Sequence, residues 1–238
     1  SFMKFLFIII FFIPTYFFGQ SYVPNSNGQL VRHTNYILSY NEENEQAEWV
    51  YYIFKNEMLE KNVSRKDKYI LDTNIITGSA SKDDYDDSIY NKGHLIPSRD
   101  MLFSKEAMIE SFLMSNISPQ AKLFNNGVWL RLENKVRKWL DIEEELHIFV
   151  GGIFSDNLGF IGENRVAIPA YFYKIIFSRK NSKVVGFIIP NKESKSNLID
   201  FVHSIDSIES LTNINFFHQL DEKIQFDLES TDNKGYWF

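Results

Sequence analysis

Residues 114–140 read MSNISPQAKLFNNGVWLRLENKVRKWL. In the second half, Val128, Trp129, Leu132, Val136, Trp139 and Leu140 recur at three- and four-residue steps. That period predicts an amphipathic helix over Val128–Leu140 with one face in the core. Moving outward, the period changes. His147–Phe154, Val166–Ile168, Phe172–Ser178 and Val184–Ile189 are short apolar runs punctuated by Gly and Pro, and they read as buried strands. Upstream, Leu30–Tyr40 and Ala47–Phe54 read as strands, joined by the polar link Asn41–Gln46 that suits a hairpin. Tyr69–Ile76 reads as a short extended piece, Gly78–Tyr90 as a loop and Met101–Phe112 as a further helix. Strands and helices follow one another without a βαβ rhythm, so the expected fold class is α+β, in a single domain over 20–238.

Composition narrows the function classes. A chain of 238 residues, 44% of them hydrophobic, is long enough to bury a sizeable core. With 11 Gly, 6 Pro and 22 Phe it is neither collagen-like, coiled-coil nor wholly disordered. The absence of cysteine excludes a disulfide framework, a thiolate metal site and a cysteine nucleophile. A formal charge of -6 argues against tight, charge-driven wrapping of DNA, but it leaves room for a local basic patch.

Residues Met3 to Gly19 carry one basic residue, Lys4, then an uncharged apolar run from Phe5 to Phe18. As a helix that run rises roughly 21 Å, short of the ~30 Å hydrocarbon core, and Pro14 would interrupt it. A small residue, Gly19, precedes the polar Gln20–Ser21. The segment 1–19 therefore reads as a secretory signal peptide, and the mature chain is expected to be secreted or periplasmic, without stable membrane association.

Two segments could carry chemistry. In YNKGHLIPSRDM, Tyr90–Met101, His94 sits at a turn-to-strand junction. An imidazole there can take a proton from water at neutral pH, or it can simply pack. In residues 114–140, Asn116, Asn125 and Asn126 offer amide oxygens and Glu133 a carboxylate, a donor set suited to a hard cation such as Mg²⁺. On one straight helix Asn125 and Glu133 would stand about 12 Å apart along the axis, so Glu133 could reach an ion on Asn125 only through water. The plain alternatives are Asn125 as a helix cap and Glu133 paired with Arg137. The acidic run Asp83, Asp84, Asp86, Asp87 lacks the spacing of a calcium loop and reads as solvated; His147 reads as a hydrogen-bonded core histidine.

Taken together, the segments resemble the DNA/RNA non-specific endonucleases, the ββα-metal nucleases that include endonuclease G-like enzymes, here of the bacterial secreted type. The family's Asp-Arg-Gly-His hallmark stands as Asn91-Lys92-Gly93-His94. Its Ser-Asn-Ile-Ser/Thr-Pro-Gln stretch stands as Ser115–Gln120, and its Asn-x-Gly-x-Trp-x-x-Leu-Glu as Asn125–Glu133. The segments AEWVYYIF, RKDKYILD, HIFVGGIF, IPAYFYKIIF and VGFIIPN extend the likeness over nearly the whole chain after the signal.

The resemblance implies a mostly antiparallel central sheet flanked by helices and a metal-dependent hydrolase of DNA and RNA that leaves 5′-phosphate ends. It implies His94 as general base, Asn125 as direct ligand of Mg²⁺ (or Mn²⁺) and Glu133 as holder of a metal-bound water. Asn116 would fix the site around His94, Arg65 would contact the phosphate, and Lys92 stands where the family usually has Arg. Lysine there keeps the charge but loses the planar bidentate fork. A homodimer stays open on this reading. The rival from another class is a catalytically silent nucleic-acid- or partner-binding protein of the same fold, which loss of His94 or Asn125 would have favoured.

Overall fold

Residues 22–155 and 158–238 are described by a computed structural model; the run read as a signal peptide lies outside them. Alternation of large apolar side chains along the strands builds a sheet that is buried on both faces. The strands are β1 (Gln29–Arg32), β2 (Ile37–Asn41), β3 (Gln46–Lys55), β4 (Tyr90–His94), β5 (Ile117–Ala121), β6 (Glu145–Ile153), β7 (Phe160–Ile161), β8 (Val166–Ala167), β9 (Tyr171–Ser178), β10 (Lys183–Pro190) and β11 (Val202–His203). The helices are α1 (Lys105–Ser111), α2 (Leu130–Glu143), α3 (Ile205–Thr212), α4 (Glu222–Glu229) and α5 (Lys234–Trp237). Seven strands form one sheet in the order β1-β2-β3-β6-β9-β10-β11, and all of its pairings are antiparallel. The expected α+β class, a mostly antiparallel sheet with helices, is what the chain adopts.

The period of two sorts each central strand between two cores. On one face Val50, Tyr52, Ile148, Val150, Phe172 and Ile176 pack with Leu132, Val136, Trp139 and Leu140 of α2. On the other, Trp49, Tyr51, Phe149, Tyr173 and Ile175 pack with Ile205, Ile208, Phe216, Phe217 and Leu228. A second antiparallel pair, β4 with β5, is anchored to the first sheet by two side-chain amides. Gln46 Nε2 donates to Ala167 O (2.6 Å), while its Oε1 accepts from Ser118 Oγ (2.6 Å). Asn191 donates to Pro119 O and Pro169 O and accepts from the Ala121 amide. The succession β4, β5, α2 is the ββα unit on which the site is built.

Several sequence-based boundaries shift for identifiable reasons. Leu30–Tyr40 is two strands, because His33 closes a turn with Tyr36 and its ring meets Asp72 Oδ2 at 2.9 Å. The helix expected over Met101–Phe112 starts at Lys105, where Ser104 caps the Ala107 amide. Tyr69–Ile76 is mostly turn: Asp72 takes hydrogen bonds from Ser115 and the Asn74 amide, and only Ile70 makes a bridge, to Leu113. The amphipathic helix begins at Leu130, and Phe124–Trp129 ahead of it is a wide turn kinked at Gly127. Asn125 and Glu133 therefore do not share one straight helix. Asp84 is buried rather than solvated: it accepts from the Ser81 and Asn164 amides.

On α2, Leu132 is fully buried whereas Ile142 is exposed. Leu132→Ala is expected to cost about 2–5 kcal/mol of unfolding free energy and Ile142→Ala under about 0.5 kcal/mol, as read from urea denaturation midpoints. Equal losses would show that this face of α2 is not the one packed on the sheet.

Candidate active site

The tetrapeptide Asn91–His94 ends strand β4, whose register against β5 places Gly93 opposite Ser118 and His94 opposite Ile117. A Cβ at residue 93 would overlap the Gln120 side chain, so the close approach of the two strands requires glycine there. Just beyond, Asn116 clamps the chain as it leaves β4. Its Oδ1 accepts from the Ile96 amide (2.9 Å), its Nδ2 donates to Ile96 O and Ser111 O, and its carbonyl accepts from Leu95 N. Asn116 is fully buried and does not line the cleft in front of His94.

That cleft, of about 600 Å³, is lined by Arg65, Tyr69, Tyr90, Asn91, Lys92, His94, Arg99, Asn125, Asn126, Glu133 and Arg137, among others. It joins the strap 63–70 upstream of β4, strand β4 itself, the kinked turn and helix α2. Of the residues singled out in the sequence, Arg65, Lys92, His94, Asn125 and Glu133 meet here; Asn116 stands behind them.

His94 packs edge-on against Phe112, with ring centroids 4.7 Å apart, and tilted against Tyr69 at 5.9 Å. Its Nε2 is sealed from solvent without a hydrogen-bond partner, and its Nδ1 makes no hydrogen bond among the described residues. Burial, helped by the nearby Arg65 charge, pushes the ring's pKa down to about 3, so the imidazole is neutral at physiological pH. Arg65 lies with its guanidinium 5.5 Å from the Phe112 ring centre and its Nε donating to Asp67 (2.6 Å). Lys92 holds Asp86 at 3.2 Å and lies over the Tyr85 and Tyr69 rings.

Across the cleft, the Asn125 side chain makes no hydrogen bond among the described residues, so it does not act as the helix cap its position suggested. Glu133 pairs with Arg137 at 3.6 Å, and Arg137 Nε donates to buried Asp100 at 2.5 Å. Burial raises the Glu133 pKa, an effect opposed by the charges of Lys174 and Arg137. Lys174, on β9, is 1% exposed, lies 4.6 Å over the Trp129 ring and has its own pKa lowered by burial.

Sequence reasoning missed Lys174, which looks like a strand residue, and gave Arg137 only as a partner for Glu133. Arg99 was visible in SRDM, yet nothing in its spacing marked it. The free amide of Asn125 and the Glu133 carboxylate line the same cleft, an oxygen donor set that fits a hard divalent cation retaining several waters. A separate trio of carboxylates, Asp206, Glu209 and Glu229, gathers between α3 and α4, on the opposite face of the sheet from α2. It shares no residue with the cleft.

Similarity to known proteins accords with this geometry. The chain is 30% identical to the mouse protein "Nuclease EXOG, mitochondrial" over 218 residues, 83% of this chain and 59% of the mouse protein. It is 28% identical to "Nuclease C1" of Cunninghamella echinulata over 86% of this chain and 89% of that one. It thus spans less than two thirds of the mouse relative's length. A chain in the crystal structure of the EndoG/EndoGI complex superposes with a TM-score of 0.75 at 25% identity, covering 82% of this chain and 88% of that chain. The family model for DNA/RNA non-specific endonucleases matches residues 14–223, and the chain belongs to that family.

Proposed function

We propose that the protein is a metal-dependent, sugar-non-specific endonuclease that hydrolyses DNA and RNA phosphodiesters to 5′-phosphate ends. The observation that carries this reading is the convergence in one cleft of His94, of Asn125 with Glu133, and of the cations Arg65, Lys92 and Arg99. Arg65 and Lys92 hold Asp67 and Asp86 at 2.6 and 3.2 Å, exposed pairs that a phosphate diester can compete for. A base, an oxygen donor pair and exchangeable cations in one concavity suit a polyanion that must also be released.

His94, neutral and with Nδ1 free, would take the proton from the attacking water. Phosphate bound on Arg65 would offset the positive charge that depresses the His94 pKa, raising its basicity when substrate is in place. Arg65 and Lys92 would neutralise charge on the equatorial oxygens. Mg²⁺, or Mn²⁺ in its place, would be held by Asn125 directly and by Glu133 through water; when bound it supplies Lewis-acid help to the departing 3′-oxygen. Asn116 would keep His94 in register by holding Ile96 and Ser111. Contacts confined to phosphate and sugar give little base preference. We take the apolar run within 1–19 as an export signal.

Cleavage of supercoiled plasmid and of a long RNA, with Mg²⁺ and with EDTA, tests the proposal. The wild type is expected to degrade both only with metal, His94→Ala to lose roughly 10²–10⁴-fold in rate, and Asn125→Ala to lose metal-dependent cleavage. A wild type inert on both polymers with Mg²⁺ and Mn²⁺ sinks the catalytic reading.

The His94 shift makes a prediction about pH. Burial pushes the pKa of the folded ring down to about 3, whereas the unfolded ring has the ordinary value near ~6.5. Between these values the unfolded state holds more protons, so this group's contribution to stability is present above ~6.5 and lost as pH falls through that window. NMR of the His94 ring should show no protonation between pH 8 and 5; a midpoint near 6.5 would contradict the buried placement.

A further inference from the structure

Beside the catalytic cleft lies a second pocket of about 430 Å³, lined by residues of the strap 63–70 and of the α1 segment. Ile70, Met108, Ile109 and Phe112 supply apolar wall, while Lys66, Lys68 and Lys105 stand exposed around it. The strap carries no regular strand, and it turns where the Lys68 amide donates to the Lys66 carbonyl (2.8 Å). Ser64, Lys66, Lys68 and Ile70 face this pocket; Arg65 and Tyr69 face the cleft. Phe112 walls this pocket, and its ring meets two residues of the cleft, His94 at 4.7 Å and the Arg65 guanidinium at 5.5 Å. One thin partition therefore separates an apolar pocket with a cationic rim from the residues assigned to the scissile phosphate.

We propose that this pocket receives the nucleobase of a nucleotide flanking the scissile phosphate on a single-stranded or locally unpaired polynucleotide, with Lys66, Lys68 and Lys105 on its backbone phosphates. The inference rests on the nuclease reading and adds a substrate class to it. The partition carries the argument. A polyanion seated on Arg65 continues over the strap onto three lysines, and next to them it meets an apolar cavity that a phosphate backbone cannot fill but a base can. Ligand pockets of this size accept small planar groups, and apolar or stacking contact with a base is insensitive to its sequence. A base still paired in a duplex is not free to enter, so strands that can splay out a base gain an anchor that an intact duplex lacks.

Fluorescence anisotropy on the His94→Ala chain, in EDTA, tests this with two labelled twelve-nucleotide probes: oligothymidylate and the same backbone without bases. Oligothymidylate should bind about fivefold to tenfold tighter, the scale of one docked base. Ile109→Gln, on an exposed pocket wall, should remove most of that advantage without weakening the baseless strand. Lys66→Gln with Lys105→Gln should weaken both probes alike and flatten the salt dependence. Equal binding of the two probes by the parent chain, an Ile109→Gln chain that keeps the full advantage, or no binding of either probe overturns the assignment. Ile109→Gln should keep the thermal unfolding midpoint and the far-ultraviolet circular dichroism of the parent, which shows the fold intact. Failure of the nuclease reading is seen separately, as absence of Mg²⁺-dependent cleavage of oligothymidylate by the wild type.

Discussion

Beneath helix α2, Arg137 holds Asp100 at 2.5 Å in the interior, Glu133 lies 3.6 Å from the same guanidinium, and Lys174 stands buried against Trp129. Ions taken out of water cost several kcal/mol each unless they face opposite charge in good geometry. Two cations and two carboxylates meet that condition only in one seating of the parts. Asp100 comes from the turn after β4, Glu133 and Arg137 from α2, and Lys174 from the middle of the central sheet. Slippage of α2 on the sheet would strand a charge, so the network fixes the rotation of the helix and with it the direction of Glu133 into the cleft. Tyr52 leans on the same cluster through Asp100, at 3.5 Å.

The opposite wall is held by different means. Asn116 uses a neutral amide to hold the chain leaving β4, and Gly93 lets Gln120 press against the strand that carries His94. Both are buried and neither touches the cleft, yet His94 faces Asn125 and Glu133 only because the β4/β5 pair is locked to the first sheet by Gln46 and Asn191. The charge distribution follows from the same division. Acidic side chains are spread over the chain, whereas the strap, β4 and α2 direct cations toward one concavity.

Much of this was legible in the sequence, and the misses have physical causes. The α2 stripe and strands β3, β6, β9 and β10 were plain, because long apolar periods are set by burial and little else. His94, Asn125 and Glu133 were candidates on their chemistry, with plain alternatives beside it; the resemblance favoured their roles and added Arg65 and Lys92, since single histidines and asparagines carry no periodic signal. Strands β4 and β5 were not resolved: they hold Asn, Lys, Gly, Ser, Pro and Gln, and pair for reasons of side-chain anchoring rather than propensity. The kink at Gly127, which takes Asn125 off the α2 axis, leaves no pattern beyond one glycine. Lys174 was hidden by its position in a run of strand formers, where only its burial among charges reveals a task. The split of Leu30–Tyr40 depended on Asp72 meeting His33, a contact between residues far apart in the chain.

The central claim is that the cleft between His94 and Glu133, with Asn125 free to ligate, holds the divalent ion of a nuclease. Anomalous diffraction from crystals of the wild-type chain equilibrated with Mn²⁺ measures this directly. The account predicts one strong peak within coordination distance of Asn125 Oδ1, absent in Asn125→Ala. Manganese found only at the carboxylates of Asp206, Glu209 and Glu229, with the cleft empty, would contradict it.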